Sequence, residues 1–106
     1  MGYRSEVVVK FSEKASEVVK GFYKMDKQIK ELIDVADDAS DDFSSIHWTY
    51  IKWYDSYEDI TAFMDMLDQI GDENYGMIRL GDDFDDMEYY GDPPSFDMYV
   101  NRSIEW

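Results

Sequence analysis

The stretch FSSIHWTYIKWY, Phe43 to Tyr54, holds six aromatic rings in twelve positions, counting the imidazole of His47. β-branched and aromatic side chains suit a pleated, half-buried surface, so the stretch reads as a strand, and as the middle one of a small sheet. At the two-residue period Ile46, Trp48, Tyr50 and Tyr54 share one face, and Ile51 and Trp53 share the other with His47 and Thr49. Apolar residues on both faces predict that helices or a second layer cover both. Exposed aromatics on a strand also stack nucleobases, but such platforms need cations for the phosphates, and Lys52 is the sole Lys or Arg between Lys30 and Arg79.

Working outward, Tyr3 to Phe11 alternates, with Ser5, Val7, Val9 and Phe11 on one face and Glu6, Val8 and Lys10 on the other, which predicts a first strand. Ser12 is placed to cap a helix. Ala15, Val18, Val19, Phe22, Met25, Ile29, Leu32, Ile33 and Ala36 recur at three- and four-residue steps and predict one long helix from Glu13 to Asp37, with Lys14, Lys20, Lys24, Lys27 and Lys30 on a solvated outer face. The polar residues Asp37 to Asp42 read as a loop. Beyond the aromatic strand, Asp55 or Ser56 is placed to cap a second helix with an apolar stripe of Ile60, Phe63, Met64, Leu67 and Ile70, ended by Gly71. Tyr75 to Gly81 reads as a third strand, Met87 to Tyr90 as its hairpin partner, and Asp97 to Trp106 as a last strand beyond Pro93 and Pro94. The order β-α-β-α-β-β(-β) predicts an α/β (α+β) fold with a three- to five-stranded sheet, two right-handed crossovers and two helices; if both helices cover one face, the other is open.

At 106 residues, with 44% hydrophobic and 17% aromatic composition, the chain is expected to form a single compact domain, residues 1–106. Without cysteine, no disulfide or thiolate chemistry is available. The amino terminus has too short an apolar run for a signal peptide, and no run approaches a membrane span, so a cytoplasmic location without membrane contact is expected.

Charge is unevenly placed. Residues 1–53 hold 8 basic and 10 acidic residues, whereas residues 54–106 hold 2 basic and 15 acidic, a net of −13 out of the chain's −15. Such a surface repels DNA, RNA and anionic membranes and favours a basic partner.

Three stretches, Met1-Gly2-Tyr3-Arg4-Ser5, Ile51-Lys52-Trp53-Tyr54, and Arg79 to Glu88 with Gly91, resemble small uncharacterised proteins encoded by bacteriophages and prophages. The resemblance covers most of the chain and implies a viral origin, the cytoplasm of a host bacterium, and a small α/β-type domain, with no activity or site to carry over. Accessory phage proteins of this size and acidity are also similar in kind to inhibitors of host defence, including anti-CRISPR and anti-restriction proteins that imitate DNA.

Chemistry is narrowly bounded. His47 is the only imidazole and there is no thiol, which argues against a nucleophilic triad and against a nitrogen- and sulfur-ligated zinc site. Asp82, Asp83, Asp85, Asp86, Glu88 and Asp92 crowd within eleven residues. Their spacing is not that of an EF-hand, since Met87 and Glu88 stand where an oxygen ligand and the glycine belong. With no phosphate-cradling loop either, the expectation is a protein that is not an enzyme and has no cofactor or metal. The expected partner surface is Asp65, Asp68, Asp72 and Glu73 from the second helix and its exit, together with Asp82, Asp83, Phe84, Asp85, Asp86, Glu88, Tyr89, Tyr90 and Asp92. It would imitate nucleic acid in the basic groove of a host nucleic-acid-binding defence protein, with the chain a monomer or homodimer. The alternative expectation is a non-enzymatic interaction module that pairs through its sheet or aromatic face.

Overall fold

Three consecutive valines set the centre of the sheet. In the computed structural model, which describes residues 4–81, 86–100 and 104–106, β1 (Ser5–Phe11) has Val7, Val8 and Val9 at 0% exposure. It lies between β3 (Ser45–Ile51) and β4 (Tyr75–Leu80), and the sheet order is β2-β3-β1-β4-β5, with β2 at Asp38–Ala39 and β5 at Met87–Gly91. The aromatic strand is therefore β1's neighbour, not the middle strand. Short branched side chains fit a position packed from both sides, while the bulkier Trp48 reaches from beside it into the helical layer.

The fold is α+β. Among the described residues the paired strands are all antiparallel, and one of the two expected crossovers is replaced: α1 and α2 return the chain from β1 to its antiparallel neighbour β3, whereas α3 carries it from β3 past β1 to β4, a crossover between two strands that run parallel with β1 between them. The helices among the described residues are α1 (Glu13–Met25), α2 (Lys27–Asp34) and α3 (Glu58–Ile70), three where two were expected. The long helix breaks at Asp26, whose extended backbone (φ −111°, ψ 111°) ends α1 and whose carboxylate accepts the Gln28 and Ile29 N–H groups at 3.0 and 3.3 Å. That capping lets Ile29, Leu32 and Ile33 turn onto the core at their own angle. Ser12 caps α1 as expected, at 3.2 Å from the Ala15 nitrogen. Neither Asp55 nor Ser56 caps α3, whose N-cap is Tyr57 with no side-chain bond.

One register shift rearranges the aromatic strand. Ser5 pairs with Ile51 but Val7 with Trp48, so β3 carries one extra residue. A bulge reverses the alternation beyond it. Ile51 and Trp53 thereby join the face of Ile46 and Trp48, and Tyr50 is left 66% exposed. Trp48, Trp53 and Phe63 then form one aromatic cluster with centroids 5.2 to 5.9 Å apart, and the Trp48 indole N–H donates to the Leu32 carbonyl at 2.9 Å.

All three helices contribute to the core on this face. The opposite face is not left open. A 3₁₀ turn at Pro93–Phe96 and the left-handed residue Asp97 (φ 59°) bring Met98 and Ile104 onto Val8 and Ile78, and Trp106 packs 5.1 Å from His47. The expected last strand forms instead a separate two-stranded ribbon, β6 (Tyr99–Val100) with β7 (Ile104–Glu105). Gly76 permits the close approach, since a Cβ there would lie 2.7 Å from the Pro93 Cα. Asp38–Ala39, expected in a loop, is strand β2.

Candidate functional site: an acidic rim beside an edge strand

Seven carboxylates lie between Asp55 and Glu73, with no Lys or Arg among them: Asp55, Glu58, Asp59, Asp65, Asp68, Asp72 and Glu73. The core stripe of α3 is Ile60, Phe63, Met66 and Leu67, with Met64 and Ile70 half-buried. Burying that stripe turns the helix so that Glu58, Asp65 and Asp68 point outward within about 80° of one another. Asp65 and Asp68 are exposed on α3 as expected. Asp72 is not on the helix: Gly71 (φ 93°) ends α3, and Asp72 and Glu73 sit exposed in a 3₁₀ turn, Asp72–Asn74.

Two tyrosines join this rim to the sheet. Tyr90 lines a shallow cleft of about 260 Å³ with Asp55, Thr61, Met64 and Asp65. Burial and the Glu88 carboxylate push its phenol up to about 12. Tyr75, 3% exposed at the start of β4, is also pushed up to about 12, by burial and by the charges of Asp72 and Asp68. The rim thus runs from Asp55 past Tyr90 and Asp65 to Asp68, Tyr75 and Asp72.

Asp86 and Glu88 face inward to a cation. The Arg79 side chain, 10% exposed, donates from Nε to Glu88 at 2.5 Å, from Nη2 to Asp86 at 2.6 Å and from Nη1 to the Ser5 hydroxyl at 2.8 Å. Burial opposes the guanidinium charge, but the hydrogen bonds to Asp86 and Glu88 outweigh it and hold the group further up than usual. These two acids tie β5 to β4 through Arg79, whose single positive charge screens their mutual repulsion.

The other expected residues are dispersed. Tyr89, 57% exposed, points to the opposite sheet face. Asp92 accepts from the Ser95 hydroxyl at 2.6 Å and opens the turn at Pro93. Asp82, Asp83, Phe84 and Asp85 lie outside the described residues, as does the Met1 to Tyr3 segment. Sequence reasoning missed Asp55, Tyr75 and Arg79. Asp55 looked like a helix cap, and Arg79, the lone cation among the acids between Lys52 and Arg102, was the available signal for an internal ion pair.

Among the described residues no helix is long and apolar enough to cross a membrane, and no group of His, Asp and Glu side chains is gathered as a metal site. Glu6 and His47 make a separate contact of 2.8 Å on the tail-covered face. Fold and rim define a small antiparallel α+β protein with an acidic rim along α3 and its flanks. The chain matches no protein family, no curated protein and no solved structure.

Proposed function

We propose that this protein is a non-catalytic inhibitor that presents its acidic rim to the basic groove of a nucleic-acid-binding protein, with a host defence component, in a phage context, as the intended target. The observation that carries the reading is the set of exposed carboxylates on the outward side of α3, Glu58, Asp65 and Asp68, and on its flanks, Asp55, Asp72 and Glu73. The helix's 13 residues span about 20 Å, so its three outward carboxylates, Glu58, Asp65 and Asp68, fall about one per 7 Å, and Asp55, Asp72 and Glu73 extend the line at its two ends. One strand of DNA presents a phosphate per about 3.4 Å of axis, and the duplex twice that density. The described rim carries about half the charge density of a single strand, a partial imitation of one backbone, and Tyr90, set among the acids, offers an aromatic anchor for affinity that charge alone does not give.

The test is capture of the partner from a bacterial lysate, followed by competition between this protein and the partner's own nucleic acid. Mutual exclusion that weakens as salt is added supports the reading. A captured partner that holds nucleic acid and this protein together refutes it.

A second reading, self-association, is favoured by one feature: Val18, Gly21, Phe22 and Met25 line an apolar groove on α1, with Met25 89% exposed. Part of the expected aromatic sheet face is covered by Met98, Ile104 and Trp106, and this groove on α1 offers an apolar surface in its place. Sedimentation distinguishes the two, since an apolar dimer holds or tightens as salt screens the net charge, whereas a pure mimic stays monomeric.

A further inference from the structure

Strand β5 ends the sheet, and among the described residues no strand pairs with its outer edge. The ladder to β4 shows which peptide groups are left. Gly81 N–H donates to the Asp86 carbonyl at 2.7 Å and Asp92 N–H to the Tyr75 carbonyl at 2.8 Å. In an antiparallel ladder this puts residues 86, 88, 90 and 92 in the inward-bonding positions. The peptide groups of Met87, Tyr89 and Gly91 therefore face outward, three donors and three acceptors in a row.

The two sides of this edge differ in chemistry. On the helical side, Tyr90 stands in the cleft with Asp55 and Asp65, next to Glu88. On the other side lies a second cleft of about 260 Å³, lined by Ile78, Tyr89, Pro93, Pro94, Met98 and Tyr99. Ile78 and Met98 form its buried floor, and the rings of Tyr89 and Tyr99, 57% and 59% exposed, stand at its lips. An added strand sends alternate side chains to these two sides.

We propose that β5 is a docking edge for an extended segment of a partner protein in which Lys or Arg alternates with apolar residues. The backbone completes the sheet, the cations meet Asp55 and Asp65, and the apolar side chains enter the tyrosine-lipped cleft. A second copy is a poor occupant, because edge-to-edge pairing brings like-charged rims together. The inference takes from the proposed function only the sign of the partner's charge; it adds the partner's conformation and pattern.

The probe is a labelled peptide, Lys-Val-Lys-Leu-Lys-Val-Lys, followed by fluorescence anisotropy against the full chain. Its controls are the block isomer Lys-Lys-Lys-Lys-Val-Leu-Val and two backbone N-methylated versions, one methylated at every Val and Leu, the other at the internal lysines. Antiparallel addition places the apolar residues in the hydrogen-bonded positions opposite Tyr89, and parallel addition places the lysines there. One methylated set should therefore lose about tenfold or more in affinity while the other stays close to the parent peptide. Bound peptide should also slow hydrogen exchange at the Met87, Tyr89 and Gly91 amides. A block isomer that binds equally well, two methylated sets that behave alike, or unchanged exchange at those three amides overturns the proposal and leaves charge attraction alone. The outcomes separate cleanly from the proposed function: a captured partner that keeps its nucleic-acid groove open removes the mimicry reading without touching the peptide result, and the converse removes only the docking edge.

Discussion

Replacing Arg79 by methionine isolates the interaction that holds the edge strand. The variant keeps an unbranched side chain of similar length on β4 but removes the cation from between Asp86 and Glu88. It loses charge-assisted contacts to Glu88 at 2.5 Å and to Asp86 at 2.6 and 3.3 Å, and the bond to Ser5 at 2.8 Å. Hydrogen bonds to charged groups contribute about 1.5–3 kcal/mol each before desolvation of the arginine is set against them. The carboxylates are 28% and 46% exposed and rehydrate in part, which caps the penalty. A net loss of about 2–3 kcal/mol follows, a drop in melting temperature on the order of 10–20 °C for a chain of this size. Urea unfolding of Arg79→Met measures it. Adding Asp86→Asn and Glu88→Gln should recover part of the loss, because the stranded charges are removed from a protein already at −15. A single variant within about 0.5 kcal/mol of the parent, or a triple variant no more stable than the single one, refutes the assignment of Arg79 as the clamp.

Trp48→Ala should cost about 3–5 kcal/mol by urea unfolding, since the ring is 1% exposed and contacts both Trp53 and Phe63, whereas the exposed Tyr50→Ala should shift stability by less than about 0.5 kcal/mol. Asp37 gives a pH dependence: hydrogen bonds from the Thr49 backbone and hydroxyl hold its carboxyl below the ordinary value. Its contribution is present above the unfolded value of about 3.9 and is lost as pH falls through the lower folded value, so acid unfolding of Asp37→Asn should show a weaker pH dependence below about pH 4 than the parent. Asp65→Asn with Asp68→Asn, both exposed and outside the core stripe, should leave circular dichroism and unfolding unchanged or slightly improved while weakening capture of a basic partner at low salt. Asp86 does not belong in such a neutralising set, because its loss would be read as unfolding of the edge rather than loss of binding.

The periodicities of the chain determined most elements: the strand at the three valines, the stripe of α3 with its end at Gly71, and the hairpin from Tyr75 to Gly91 are local patterns, and local patterns are what a sequence displays directly. The charge imbalance is equally local, a matter of counting, and Glu58, Asp65 and Asp68 are placed outward once the apolar stripe of α3 is known. The long-range choices were settled only in three dimensions. Asp26 reads as one polar residue in a helical run, yet the angle at which Ile29 and Leu32 meet the core makes it a double cap. One extra residue opposite Ser5 and Val7 moves Trp53 to the face of Trp48, and a bulge leaves no mark in the pattern of β3 because both of its faces are apolar. Arg79 turns Asp86 and Glu88 from surface charges into partners, a pairing that depends on the register between β4 and β5. The closing of the second sheet face by Met98 and Ile104, and the exposure of β5 as an edge between an acidic and an apolar cleft, follow from where the chain end packs, which is a competition among whole surfaces and not a property of any one segment.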